Sequence, residues 1–186
     1  MTTMPHPQLT HVGLYVRDLD KMEAFYTTVV GLLVSDRGTA HGSGANFVFM
    51  TAQPGTHHQF VIATGRPPRG MSTVNQSSFR VRNLDELKEI YHRMKAVHAP
   101  HLRAVSHGNA LSIYGDDPEG NMVEIYMDTE WHVPQPHMAP IDLERSNHDI
   151  LEWNERHCRA TPGFMSMPAY ADLMAARLEG RAPAEG

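Results

Sequence analysis

Cysteine is almost absent from this chain. Cys158 stands alone among 186 residues, so no internal disulfide can form, and a reducing compartment, the cytoplasm, is the expected setting. Lysine is nearly as scarce: three lysines join the arginines to make 16 basic side chains against 21 acidic ones, a formal charge of −5. That balance provides no basic patch dense enough to neutralise a phosphate backbone, so nucleic acid is excluded as the expected partner and a small molecule is favoured. Long apolar runs are missing as well. The opening "MTTMPHPQLTH" has neither a signal-peptide core nor a spanning segment, so no membrane partner is expected.

What is present supports a core. Hydrophobic residues make up 41% of the chain, enough for one domain or for two half-domains that share an interior. Thirteen histidines are an unusual number, and histidine is both a common metal ligand and the usual acid/base near neutral pH.

The first two thirds of the chain repeat themselves. "HVGLYVRDLDKMEAFY" from His11 and "QSSFRVRNLDELKEIY" from Gln76 match at an offset of about 65 residues, sharing Val, Arg, Leu, Asp and Tyr. In each copy an alternating apolar run predicts a strand, Asp18 or Asn83 supplies an N-cap, and an amphipathic helix follows. Three further strands are expected after each helix, near 31–37, 45–51 and 58–64, then near 102–106, 109–115 and 121–127. The expected fold class is therefore α+β: two paired βαβββ modules, 8–65 and 73–130, forming a curved mixed sheet around a cavity.

On that picture His11 and Gln76 hold equivalent places at the start of the two first strands, and Glu124 and His58 lie on the two last strands. Glu124 is the anomaly. In "GDDPEGNMVEIYMDT" it sits among Met122, Val123, Ile125 and Tyr126, where a bare charge costs several kcal/mol unless something neutralises it. Arg17 and Arg82 also recur in the repeat, but each precedes a helix cap and a structural role is expected.

Residues 8–136 resemble the vicinal-oxygen-chelate superfamily, and more narrowly its single-domain extradiol ring-cleaving dioxygenases. The stretches that carry the resemblance are "LTHVGLYVRDLDKMEAFYTTVVGL", "HHQFVIA", "NQSSFRV" and "HGNALSIYGDDPEGNMVEIYMDTEWHV". The resemblance implies that His11 and Glu124 are metal ligands, so that a divalent cation, Fe(II) or alternatively Mn(II), sits opposite the buried acid. It also implies that His58 is the acid/base residue, and that Tyr114 and His107 contact the substrate oxygens. The implied partners are a small catechol-type aromatic diol and dioxygen, and the implied assembly is a homodimer or higher homo-oligomer.

One position departs from the dioxygenase pattern. Gln76 stands where those enzymes place a second metal-binding histidine; glutamine ligates metal through its carbonyl in glyoxalase-like relatives, and His58 is the other available donor. Two alternatives therefore stay open. One is a glyoxalase-like metal-dependent lyase or isomerase, which normally has a second carboxylate on the first module's last strand, where Phe60 lies here. The other is a metal-free antibiotic-binding protein.

Residues 1–136 are expected to form the domain and 137–186 a C-terminal helical extension. "TEWHVPQPHMAPIDL" reads as extended, "SNHDILEWNERHCR" and "AYADLMAARLEG" as helices, and the last residues as disordered. The apolar residues of this extension need a surface, either over the cavity as a lid or on a second subunit.

Overall fold

A computed structural model of the chain describes residues 7–70 and 72–179. The first module opens with β1 (Val12–Val16), in which buried Leu14 and Val16 alternate with exposed Gly13 and Tyr15. Asp18 ends the strand and caps α1 (Leu19–Phe25), its side chain accepting from the Lys21 N–H at 3.0 Å. The helix continues as a π-helical turn over Tyr26–Val30 and stops at Gly31, whose φ of +91° suits glycine. Strands β2 (Leu33–Thr39), β3 (Asn46–Thr51) and β4 (Phe60–Thr64) complete the module.

The second module repeats this order. Strand β5 (Ser77–Arg80) leads to Asn83, which caps α2 (Leu84–Ala96) by accepting from the Glu86 N–H at 3.0 Å. Strands β6 (Arg103–Ser106), β7 (Ala110–Asp116) and β8 (Met122–Asp128) follow. The two sheets have the same order, β1-β4-β3-β2 and β5-β8-β7-β6, with β1 parallel to β4 and β5 parallel to β8. The expected βαβββ pair is present, with strand bounds shifted by one or two residues.

Beyond Asp128 the chain forms β9 (Trp131–His132), β10 (Ala139–Pro140), α3 (Asn147–Arg159), β11 (Met165–Ser166) and α4 (Met167–Leu178). The stretch expected to be extended thus holds two very short strands, of which β10 adds to the free edge of β6. Leu143 and Ile150 enter the common core, while Leu151 remains exposed. The expected disordered end, from Gly180 onward, lies outside the described residues. Among the described residues no helix is long and apolar enough to cross a membrane.

One core serves both modules. Met22, Phe25, Leu87, Ile90 and Met94 from the helices pack on Leu14, Ile62, Ile113, Val123 and Ile125 from the sheets. Each such side chain contributes about 1.5–3 kcal/mol when fully buried. Tyr26 joins the halves: its ring lies 4.4 Å from Phe60 and 6.1 Å from Phe79, and its hydroxyl donates to Asp117 Oδ2 at 2.9 Å. Asp117 in turn builds the β7–β8 turn by accepting from the Glu119 and Asn121 N–H groups, both at 2.9 Å. From that turn Glu119 reaches back to the first module, accepting from the N–H groups of Arg17 (2.6 Å) and Asp18 (2.9 Å) and from the Arg66 guanidinium (3.2 Å).

Tyr26→Phe should lower the unfolding free energy by about 1–3 kcal/mol, because it leaves Asp117 short of a buried donor. The check is the urea midpoint at constant slope. Burial, then the charge of Asp117, then the hydrogen bond to it hold the Tyr26 phenol well above its ordinary value of 10.0. A raised folded value means this contribution is full below the unfolded value and is lost as pH rises above it. The variant should therefore lack that part of the wild type's alkaline destabilisation.

Candidate active site

The second module's functional side chains lie on one face of its sheet. Register decides which side chains these are. Ser78 pairs with Glu124 across the parallel β5/β8 ladder, and Tyr114 pairs with Glu124 across the antiparallel β7/β8 ladder. Tyr114 also pairs with Arg103 on β6, so Arg103, Tyr114, Glu124 and Ser78 form one cross-strand row on one face. Val123 and Ile125 point the other way, into the core.

Glu124, only 7% exposed, is surrounded by donors. Gln76 Nε2 donates to its Oε2 at 2.7 Å, Ser78 Oγ donates to the same oxygen at 2.6 Å, and Tyr114 Oη donates to Oε1 at 2.6 Å. Hydrogen bonds thus offset the desolvation of this carboxylate. Burial, then the hydrogen bond to Glu124 and its charge, push the Tyr114 phenol far up, so it stays an O–H donor.

Beyond Tyr114 the chain of contacts continues. His107 Nε2 lies 2.8 Å from Tyr114 Oη, and His107 Nδ1 donates to the His137 carbonyl at 2.7 Å. A carbonyl only accepts, so Nδ1 carries a hydrogen and Nε2 is the atom turned to Tyr114.

His11 and His58 form a second group. Their rings meet edge to face at 4.6 Å, and His58 also touches Phe49 at 5.2 Å. His58 sits below its ordinary value because of burial first and the charges of His11 and His57 second. His57 is exposed, with its Nδ1 2.9 Å from that of His58. Phe60 packs into the core against Tyr26 and Phe79, while His58 contacts His11 and Phe49. Strand β4 begins only at Phe60, so the backbone over residues 57–59 does not follow strand alternation.

No hydrogen bond or ring contact joins the His11/His58 group to Glu124 among the described residues. A groove of about 1250 Å³ runs along the seam between β1 and β5, lined by His11, Gln59 and Ser78 among others; neither His58 nor Glu124 lines it. Phe47 and Phe49, stacked at 6.0 Å, give the first module's face an apolar wall.

Among the described residues no three His, Cys, Asp or Glu side chains are grouped as a metal site; the donor atoms left open are nonetheless of the types a divalent cation takes. His11 Nε2, His58 Nε2 and Gln76 Oε1 take part in no hydrogen bond among the described residues, and Glu124 Oε1 is held by Tyr114 alone. Nitrogen and oxygen donors with one carboxylate match a borderline or hard divalent ion.

Ser78, Gln135 and Arg103 have no place among the expected site residues. Ser78 signals itself only through the parallel register. Gln135 bridges the loop after β9 to the β6–β7 hairpin, its Nε2 donating to the His107 carbonyl at 2.7 Å and its Oε1 accepting from the His137 N–H at 3.0 Å. The buried Cys158 thiol is pushed up by burial and is no nucleophile candidate.

With fold and site in place, the family follows. The model of the "Glyoxalase/Bleomycin resistance protein/Dioxygenase superfamily" matches residues 8–125. The chain belongs to this superfamily. Among curated relatives, Biphenyl-2,3-diol 1,2-dioxygenase 3 of Rhodococcus globerulus is 29% identical over 128 residues, 66% of this chain and 64% of that protein. Biphenyl-2,3-diol 1,2-dioxygenase 2 of the same organism is 26% identical over 127 residues, 66% and 63% of the two chains. Uncharacterized protein PA2024 of Pseudomonas aeruginosa is 41% identical over 75 residues, 39% of this chain and 51% of that one. The chain thus spans between half and just under two thirds of the length of these relatives.

Solved structures of the superfamily share the fold. A glyoxylase/bleomycin resistance protein/dioxygenase domain from Frankia sp. EAN1pec aligns with a TM-score of 0.58 at 21% identity, over 69% of this chain and 96% of that one. The fosfomycin resistance protein FosX of Listeria monocytogenes, complexed with Mn(II) and sulfate, aligns with a TM-score of 0.52 at 21% identity, over 67% and 95%.

Gly108 holds the hairpin and the following loop together. Its φ is +78°, and an added Cβ would meet Val133 Cγ2 at 2.4 Å. Gly108→Ala should therefore cost about 1–3 kcal/mol and loosen residues 131–140. A lower thermal midpoint with faster amide exchange confined to that segment is the expected result.

Proposed function

We propose that the chain is an extradiol-type ring-cleaving dioxygenase that acts on a catechol-type aromatic diol with dioxygen and a divalent metal, Fe(II) or Mn(II). The observation that carries this reading is the Glu124–Tyr114–His107 hydrogen-bonded chain, completed at the acid by Gln76 and Ser78. The likeness to two biphenyl-2,3-diol 1,2-dioxygenases supports it, as does the Mn(II) held by a relative of the same fold.

His11, Gln76 and Glu124 would hold the ion. When bound, a divalent ion with three protein ligands supplies open positions at which a diol and dioxygen meet. The protein's own residues do the rest. Phe47 and Phe49 offer the aromatic ring an apolar wall that excludes water. Tyr114, kept protonated, donates to a substrate oxygen, and His107 behind it replaces or withdraws that proton. His58, lowered by its buried surroundings, takes a phenolic proton as general base near neutral pH. In the net reaction a ring carbon–carbon bond next to the diol breaks and both atoms of dioxygen enter a ring-opened semialdehyde acid.

A second reading, a glyoxalase-like lyase or isomerase, draws on Gln76 alone. Strand β4, "FVIAT", carries no acid to act as its second carboxylate.

The test is protein purified without oxygen, loaded with Fe(II) or Mn(II) and mixed in air with a panel of catechols. A visible yellow product is expected, one metal per chain, and loss of metal with Glu124→Ala. His58→Ala should keep the metal and lose at least about a hundredfold in kcat. Stoichiometric metal without any diol turnover would turn the reading toward the lyase, and absence of metal binding toward a metal-free binding protein.

A further inference from the structure

We propose that Arg103 is an anion-recognition residue of this site, so that the aromatic ligand carries a carboxylate on the ring edge away from its two oxygens. This rests on the ring-cleaving reading for the ligand's diol, but the carboxylate contact stands on the geometry of Arg103.

Arg103 opens the cross-strand row that runs through Tyr114 to Glu124. Neighbouring strands are about 4.8 Å apart, so its backbone lies two spacings from that of Glu124 and its side chain rises on the same face. The guanidinium stands over the Tyr114 ring, 4.5 Å from the centroid. The phenol therefore spans the gap, with its hydroxyl at Glu124 and its ring under the cation. A substrate ring lying along it would have its diol at one end of the row and its far edge at the other.

The guanidinium is under-used where it stands. It donates to the His101 carbonyl at 3.3 Å and approaches the weak acceptor Met122 Sδ at 3.8 Å. No acid pairs with it among the described residues. Arg80, on the same face one row along, pairs with Asp128 at 3.0 Å, and Arg66 pairs with Glu119 at 3.2 Å. Asp116, on the Tyr114 strand and face, is engaged by His101 at 2.8 Å, and Glu124 is engaged by its three donors. A half-buried guanidinium without a counter-ion has several N–H donors left in a planar fork, which matches a carboxylate. Stacking on Tyr114 fixes that fork against the site rather than leaving it to swing into solvent.

The experiment reads binding and turnover separately. Metal-free full-length protein is titrated calorimetrically with 4-hydroxyphenylacetate and with uncharged 4-ethylphenol, using wild type, Arg103→Lys and Arg103→Met. Metal-loaded protein is assayed in air with 3,4-dihydroxyphenylacetate and 4-methylcatechol. Wild type should favour the carboxylated member of each pair by about tenfold or more. Arg103→Met should reduce that ratio toward one, mainly through KM, with Arg103→Lys between. Equal handling of charged and neutral analogues by wild type, or a ratio unchanged in Arg103→Met, overturns the proposal. Failure of every diol to turn over, with the Arg103-dependent binding ratio intact, removes the ring-cleaving reading and leaves the carboxylate site standing. Should Arg103→Met fail to fold, the wild-type ratio and the lysine variant decide.

Discussion

A buried carboxylate with three donors is the constraint from which the second module's geometry follows. Glu124 stays charged-capable inside a sheet only because Ser78, Gln76 and Tyr114 reach it together. A slip of one residue in either the β5/β8 or the β7/β8 ladder would turn the acid onto the face of Val123 and Ile125, away from Gln76, Ser78 and Tyr114, at a cost of several kcal/mol. Register here is fixed twice, by the hydrophobic pattern on one face and by a polar row on the other. The same row that satisfies the acid also sets the spacing of Tyr114 and Arg103.

The hairpin that carries this row is also the clasp between modules. Its turn holds Asp117, which receives the Tyr26 hydroxyl, and Glu119, which receives the start of α1 and the Arg66 guanidinium. Strand β1 leads directly into those Arg17 and Asp18 N–H groups, so the position of His11 along the seam is tied to the hairpin that bears Glu124. The aromatic cluster of Tyr26, Phe60 and Phe79 supplies the matching apolar contact. Substitutions in this turn would thus disturb the site without touching any residue in it.

Much of this is legible in the sequence because it is local. The repeat, the caps at Asp18 and Asn83, and the strands around Glu124 all follow from patterns of period two or 3.6. Glu124 itself stands out as an acid in an apolar strand; Tyr114 is singled out only as a substrate contact through the resemblance, and its hydrogen bond to Glu124 is not legible in the sequence. The donors from β5 are not legible, since Ser78 meets Glu124 only through a parallel ladder between segments 46 residues apart. The face of His58 is lost to the bend before β4. The acceptor that orients His107 is a main-chain carbonyl, which has no side-chain signature at all. Strands β9, β10 and β11 are two residues long, too short for any period to show.

The two oxygens of Glu124 are not equivalent, and this asymmetry gives the hydrogen-bonded chain its direction. Oε2 takes both donors from the β5 side and is locked; Oε1 takes only the Tyr114 hydroxyl. Tyr114 has one hydrogen to give, so an arriving ligand oxygen that accepts it leaves Oε1 free, and Oε1 is then the atom that can turn to a cation. His107 is oriented by its Nδ1–H on the His137 carbonyl, and its Nε2 lies 2.8 Å from Tyr114 Oη and 3.9 Å from Glu124 Oε1. On the proposed reading, ligand arrival, exposure of Oε1 and readjustment of the Tyr114–His107 contact would be coupled, and the loop after β9 would take part through the His137 carbonyl.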